Sequence, residues 1–206
     1  LLEEAEAAFE QARQLRQWDP TAIGGLCMVY EETNRLAEAE SLSRRAVGAV
    51  PGEPQFHYRL GRALGLLRRP DEAAAAFRAA VRLKPDYGVA WCYLAETVRR
   101  DSDDDEVSAI RTLAESTSLD PDERAFAGFA LGRSLADLDR HEDSIAAYKV
   151  ANGLRQQISH ESAEAEIAAV RHRIAQFSAW PVNADRAGFD EIEPVFVVGL
   201  PRSGKT

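Results

Sequence analysis

The chain has 206 residues, 45% hydrophobic and 29% charged, with a formal net charge of −9. Such values suit one or two water-soluble domains, and no apolar run approaches membrane-spanning length. The acidic balance argues against a surface that tracks nucleic-acid phosphates, so neither nucleic acid nor membrane is expected as a partner.

The chain begins Leu1-Leu2-Glu3 without an initiator methionine and ends at Thr206 inside Gly-Lys-Thr. It therefore reads as a piece of a longer protein. Its two cysteines, Cys27 and Cys92, lie in apolar helical stretches and read as small buried residues. Cytoplasm is the expected location.

From the first residues onward a period of 34 organises the chain. Leu26, Leu60 and Leu94 are 34 apart, as are Ala39 and Ala73, Ala46 and Ala80, and Pro51 and Pro85. Glu3 to Trp18 carries Ala5, Phe9 and Ala12 and reads as a lone second helix, giving a half unit over 1–19. Full units follow at about 20–53, 54–87, 88–124 and 125–158. Each has a first helix with a large-Leu-small pattern (Leu60-Gly61), a second with Ala-aromatic-Ala (Ala73, Phe77, Ala80), and proline as punctuation at Pro51, Pro85 and Pro121. The alternation has a packing cause: a small residue lets the partner helix approach, and a ring fills the space beside it.

The third unit is irregular. Asp101-Ser-Asp-Asp-Asp-Glu106 lengthens its inter-helix loop and moves the second-helix frame to Ala109 and Leu113. These carboxylates favour the positive end of a helix dipole and lack the glycine and distal glutamate of a calcium loop. After the last unit, Ala163, Ile167, Val170, Ile174 and Phe177 recur at helical spacing, which predicts an amphipathic capping helix over 159–177. Residues 178–192 read as a linker. Val195-Phe-Val-Val198 is a short apolar run suited to a buried strand, and it leads into Gly199-Leu-Pro-Arg-Ser-Gly-Lys-Thr206, a complete match to the phosphate-loop pattern.

A period of 34 with this pattern resembles the tetratricopeptide repeat. The whole chain, through Arg140-His-Glu-Asp-Ser-Ile-Ala-Ala-Tyr148, Ala151-Asn-Gly-Leu-Arg155 and Glu193-Pro-Val-Phe-Val-Val-Gly-Leu-Pro-Arg-Ser-Gly204, resembles the bacterial tetratricopeptide-repeat sulfotransferases, relatives of tyrosylprotein sulfotransferases. The resemblance implies an all-α right-handed superhelix of antiparallel helix pairs over 1–177, then the first β-strand and phosphate loop of an α/β sulfotransferase domain over 193–206. It also implies 3′-phosphoadenosine 5′-phosphosulfate as sulfuryl donor, held by Pro201, Arg202, Ser203, Gly204, Lys205 and Thr206, with an acceptor hydroxyl such as protein tyrosine. Lys205 stands where the family usually has threonine, and it makes the loop a formal Walker A. The alternative is therefore a peptide-binding scaffold fused to a nucleotide triphosphatase or kinase.

Catalytic residues are expected beyond Thr206, so this chain alone is expected to be inactive. His57, His141, His160 and His172 lack metal-ligand spacing, and no metal is expected. Family geometry of the first helices places Tyr58, Arg62, Arg99, Arg100, Phe126, Phe129 and Arg133 along a peptide groove. Four arginines there point to an acidic peptide as partner; the competing reading pairs them with nearby acids such as Glu96 and Asp137.

Overall fold

The computed structural model describes the backbone of residues 2–178 and, of these, the side chains outside 160–163, 165–166 and 173–178. The chain divides into two units, Leu1–Ser162 and Ala163–Thr206. The first is a stack of helices: α1 Leu2–Leu15, α2 Pro20–Glu32, α3 Leu36–Ala49, α4 Pro54–Leu66, α5 Pro70–Leu83, α6 Gly88–Thr97, α7 Asp105–Glu115, α8 Pro121–Asp137 and the start of α9 His141–Ser178. Of the second, residues 163–178 are the rest of α9, with Ile167 and Val170 half exposed. The expected linker over 178–192 and the expected strand and phosphate loop lie outside the described residues, apart from Ser178.

Helix starts follow from the local chemistry. Proline occupies the first turn of α2, α4, α5 and α8, where its missing N–H costs nothing. The Asp19, Asp104 and Asp120 carboxylates accept from the Ala22, Val107 and Asp122 amides at 3.0, 3.0 and 2.9 Å, satisfying donors that helix starts leave open. Pro51 and Pro85 follow the ends of α3 and α5, as punctuation requires. Pro121 does not close its unit: it opens α8, which adds a turn before Ala125.

The turn from first to second helix repeats in its backbone. Asn34, Arg68 and Asp139 have φ of 59°, 60° and 57°. The next amides, of Arg35, Arg69 and Arg140, donate back to the carbonyls of Tyr30, Leu64 and Leu135 at 2.7, 3.0 and 2.9 Å. A left-handed residue followed by such a long backward bond is how a helix closes its last carbonyls. The three arginines then reach Glu38, Glu72 and Asp143 on the second helix just begun, and Glu6, Glu40 and Asp103 before it, building an ion-pair ladder from unit to unit.

Packing follows the small-large alternation. A Cβ on Gly61 would lie 2.6 Å from the Phe77 ring, and one on Gly132 2.9 Å from the Tyr148 ring, both pairs 16 residues apart. In the first full unit the matching pair is Cys27 and Ser43, whose Sγ and Oγ are 3.3 Å apart. Two apolar clusters result, one around Ile23, Leu26, Phe56 and Ala63, the other around Leu64, Phe77, Trp91, Leu94 and Ile110.

Successive first helices approach one another at the backbone, α2 with α4, α4 with α6 and α6 with α8, while α3 and α5, and α5 and α7, stand farther apart and are joined by the ion pairs Arg44–Glu72 and Arg78–Glu106. First helices thus form the closely packed inner layer and second helices the splayed outer one.

Two expectations are corrected. In the third unit the fully buried positions of α7 are Val107 and Ile110, while Ala109 and Leu113 are only partly buried. The lengthened loop starts α7 at Asp105, and its 11 residues turn Val107 and Ile110 inward. Second, α9 is one helix of 38 residues, where a last second helix and a separate capping helix are expected. Between Ala151 and Phe177 the sequence has no proline, and Gly153 alone does not stop a helix flanked by strong helix formers.

Candidate functional site

Position along each first helix decides which side chains reach the inner layer's open face. A cleft of about 540 Å³ lies between α6, α8 and α9, lined by Cys92, Tyr93, Glu96, Phe126, Phe129, Arg133 and Tyr148. Phe126, Phe129 and Arg133 of the sequence-derived groove come together here. The Phe129 and Tyr148 rings lie 6.3 Å apart, tilted by 40°. Arg155 covers the Phe126 ring at 5.5 Å and is ion-paired with Asp122.

Two further clefts flank this one, each of about 700 Å³. The first shares Tyr93 and Glu96 with it and is lined by Arg62 and Phe77. The second shares Phe126 and brings in Tyr58, Arg59, Lys84 and Tyr87. Tyr58 and Arg62 therefore belong to the same open face, but in neighbouring clefts. Tyr58 is itself buried, packed on Phe77, Tyr87 and Tyr93 with ring centroids 6.2, 5.4 and 5.8 Å away.

The arginines behave differently from the sequence expectation. Arg62 donates to Glu31 at 2.6 Å and to the Tyr93 hydroxyl at 2.5 Å, and its guanidinium stacks on the Tyr93 ring at 4.5 Å. Burial works against its charge, but Glu31 together with Tyr58 and Tyr93 outweighs this and strengthens it. Arg133 pairs with Asp137 at 3.2 Å.

Arg99 and Arg100 are not on a first helix at all, because α6 ends at Thr97. The Arg100 side chain is 3% exposed and turns to Glu106 at 2.5 Å, while its amide donates to Asp137 at 3.1 Å. It is a core residue of the inter-helix loop and not a groove residue. Arg99 is exposed in the same loop and makes no ion pair among the described residues. Three of the four arginines are thus already engaged, by Glu31, Glu106 and Asp137, which removes the charge argument for an acidic peptide. Asp137 was anticipated as such a partner; Glu31 and Glu106 were not.

The electrostatics of the cleft lean the other way. Glu96 is exposed and makes no ion pair among the described residues. Burial, with a contribution from Glu96, pushes the Cys92 thiol up to about 12. Burial also raises the Tyr148 phenol; Arg133 opposes this, and Glu96 and Asp137 add to it.

Sequence reasoning missed Cys92, Tyr93, Glu96 and Tyr148 as lining residues. Position counting was available for Cys92 and Glu96, since they occupy the fifth and ninth places of their unit. Tyr148 carries a second-helix pattern and gave no signal of its own.

Pro201, Arg202, Ser203, Gly204, Lys205 and Thr206 lie outside the described residues. Among the described residues no group of histidine, cysteine and carboxylate side chains could hold a metal ion, and no helix is long and apolar enough to cross a membrane.

Residues 27–88 and 58–106 match the family model of the tetratricopeptide repeat. Compared with curated proteins, the sequence has no significant match. Among solved structures, the chain is similar to MamA, with 16% identity, 77% of this chain and 91% of that one covered, and a TM-score of 0.54. A MamA fragment from Desulfovibrio magneticus RS-1 gives 18% identity, 76% and 86% coverage and a TM-score of 0.51. YrrB, described as a TPR protein with an unusual peptide-binding site, gives 24% identity, 75% and 78% coverage and a TM-score of 0.50. Period, turn geometry, small-large packing and these likenesses agree: residues 27–106 match the tetratricopeptide repeat, and the described helices carry an all-helical fold like that of the repeat.

Proposed function

We propose that this chain is a protein-interaction module that holds an extended peptide segment of a partner protein across the open face of α4, α6 and α8. The observation that carries the reading is the row of three clefts joined through shared residues, Tyr93 and Glu96 on one side and Phe126 on the other. Aromatic walls with a few polar groups are what peptide recognition requires, since rings bury much area at low entropic cost and polar groups fix register. The described peptide-binding site of YrrB, a protein of similar fold, supports the same use. The acidic preference inferred from arginine count is not carried into this proposal, because Arg62, Arg100 and Arg133 have their own carboxylates. Selecting peptides from a displayed random library on the immobilised chain tests the reading. Peptides whose binding is lost on Phe129→Ala support it, and peptides indifferent to every residue of the three clefts would refute it.

We further propose, on sequence alone, that the module serves a sulfotransferase that transfers a sulfuryl group from 3′-phosphoadenosine 5′-phosphosulfate to an acceptor hydroxyl. The support is the run Glu193 to Gly204 together with the repeats before it. Arg202 and Lys205 would supply positive charge to a bound phosphosulfate, and Ser203 and Thr206 hydroxyl donors. Lys205 favours the alternative of a triphosphatase or kinase. Calorimetric titration of the native protein separates them: preference for 3′-phosphoadenosine 5′-phosphate supports the first, preference for magnesium-ATP the second.

A further inference from the structure

We propose that the central cleft of the groove, between Glu96, Phe129 and Tyr148, takes the side chain of a lysine or arginine from the bound peptide. This rests on the peptide-binding reading above and names the chemistry of the residue that anchors it.

Three observations point to a cation. The first is charge. Of the two ionisable groups lining the cleft beside its tyrosines and cysteine, Arg133 already has a partner in Asp137, whose own side chain is 7% exposed. Glu96 has no ionic partner among the described residues and is exposed to the cleft. With Arg133 offset by Asp137, the Glu96 carboxylate is left over, and the field at Cys92 and Tyr148 carries its mark.

The second observation is the lining. Phe129 and Tyr148 line the cleft with rings whose quadrupole attracts a positive group, Phe126 already carrying Arg155, and the long apolar stem of a lysine or arginine suits the walls between them. A carboxylate from a partner would meet the same ring faces and Glu96, both unfavourable. A purely apolar side chain would be accepted by the rings but would leave Glu96 desolvated without compensation.

The third observation is internal. The chain satisfies its own cations on rings repeatedly: Arg35 lies 4.3 Å from the Tyr30 centroid, Arg62 4.5 Å from Tyr93, Lys84 4.6 Å from Tyr87 and Arg155 5.5 Å from Phe126. The Arg62 case is the closest precedent, a guanidinium held by a ring and by the Glu31 carboxylate one helix away. In the central cleft the rings and the carboxylate are present, and the cation is what a partner would bring.

The test starts from the strongest peptide of the library selection, synthesised with each lysine or arginine replaced in turn by norleucine and by glutamate. Binding is measured by fluorescence polarisation to the wild-type chain, Glu96→Gln, Phe129→Ala and a charge-matched control, Glu115→Gln, which lines a different groove. Circular dichroism verifies that each variant keeps its helix content. One basic position is expected to lose about fivefold to thirtyfold on norleucine, a cation on rings plus a carboxylate. Glu96→Gln is expected to lose about fivefold with the lysine peptide and nothing with the norleucine peptide, while Glu115→Gln changes neither.

Selected peptides that depend on Phe129 but carry no basic residue, or that bind equally to Glu96→Gln, overturn the cation and leave the groove standing. Equal losses in Glu96→Gln and Glu115→Gln mean attraction to an acidic protein in general, which also overturns it. Failure to select any peptide that depends on the clefts overturns the groove reading itself.

Discussion

Gly61 and Phe77 meet so closely that a Cβ on the glycine would stand 2.6 Å from the ring, a distance real Cβ atoms do not keep. The contact joins α4 to α5 and is the point at which repeat sequence becomes repeat packing. Gly61→Ala gains about 1 kcal/mol in helix propensity and loses about 1–3 kcal/mol to overpacking, so a net loss of about 1 kcal/mol is expected. At Gly88 the obstacle is the backbone carbonyl of Glu123, which cannot rotate away, so Gly88→Ala is expected to cost about 3 kcal/mol. Gly65 has nothing near its Cβ position, and Gly65→Ala is expected to stabilise by about 0.5–1 kcal/mol. Urea midpoints of the three variants check the order; an alanine at 88 as benign as one at 65 would contradict it.

Arg68 sits at φ 60° in the turn between α4 and α5. A side chain there is strained, and glycine is not, so Arg68→Gly is expected to raise stability by about 0.5–1 kcal/mol. Asn34→Gly, at φ 59°, should change less, because asparagine tolerates this region. Thermal unfolding of both variants decides it, and a destabilised Arg68→Gly would show that the arginine's contacts outweigh its backbone strain.

The Arg100–Glu106 pair holds the long loop to α7. Removing the arginine leaves a buried space and a carboxylate kept only by Arg78, at 2.7 Å, so Arg100→Ala is expected to cost about 3 kcal/mol near neutral pH. Burial works to raise the Glu106 carboxyl, but hydrogen bonds from Arg78 and Arg100 prevail and hold it below the usual range. A carboxyl lowered in the folded state stabilises above its unfolded value, about 4.3, and that contribution is lost as pH falls through the folded value. The gap between wild type and Arg100→Ala should therefore shrink between pH 7 and pH 3. Urea titrations at both pH values test this, and a gap that is constant would mean the arginine acts by packing alone.

Much of this architecture is legible in the sequence, and the reasons are local. Leu60, Gly61, Ala73, Phe77 and Ala80 name their packing roles by size, and Pro51 and Pro85 mark by chemistry where second helices have ended. What escaped reading depends on where a helix stops. Position counting put Arg99 and Arg100 in the groove on the assumption that α6 runs as long as α4, but it ends at Thr97, and the extra loop carries Arg100 to Glu106. Pairing across units escaped for a related reason. Arg62 finds Glu31, 31 residues earlier, and Arg69 finds Glu40, 29 earlier, separations that no helical period within one unit suggests. The count of arginines was correct, while their availability depended on partners in the preceding unit.

Cys92 lines the central cleft yet its thiol lies near 12, so at pH 8 almost none of it is thiolate. Reaction with a disulfide reagent should be slower in the native protein than in denaturant by at least about tenfold, the lower thiolate fraction being partly offset by the greater nucleophilicity of a high-pKa thiolate. Cys27 is buried and also raised, so it should not supply a fast native phase. A fast phase assigned to Cys92 by peptide mapping would mean that the cleft is more open and wetter than its geometry gives.

The central claim is that peptide is bound at the cleft between α6, α8 and α9. Calorimetric titration of a library-selected peptide into the wild-type chain and into Phe129→Ala, both verified as helical, measures it most directly. Loss of a partly buried ring at an anchor is expected to weaken binding at least tenfold, about 1.4 kcal/mol or more. Equal affinities for the two proteins would contradict the account and place the peptide elsewhere on the chain.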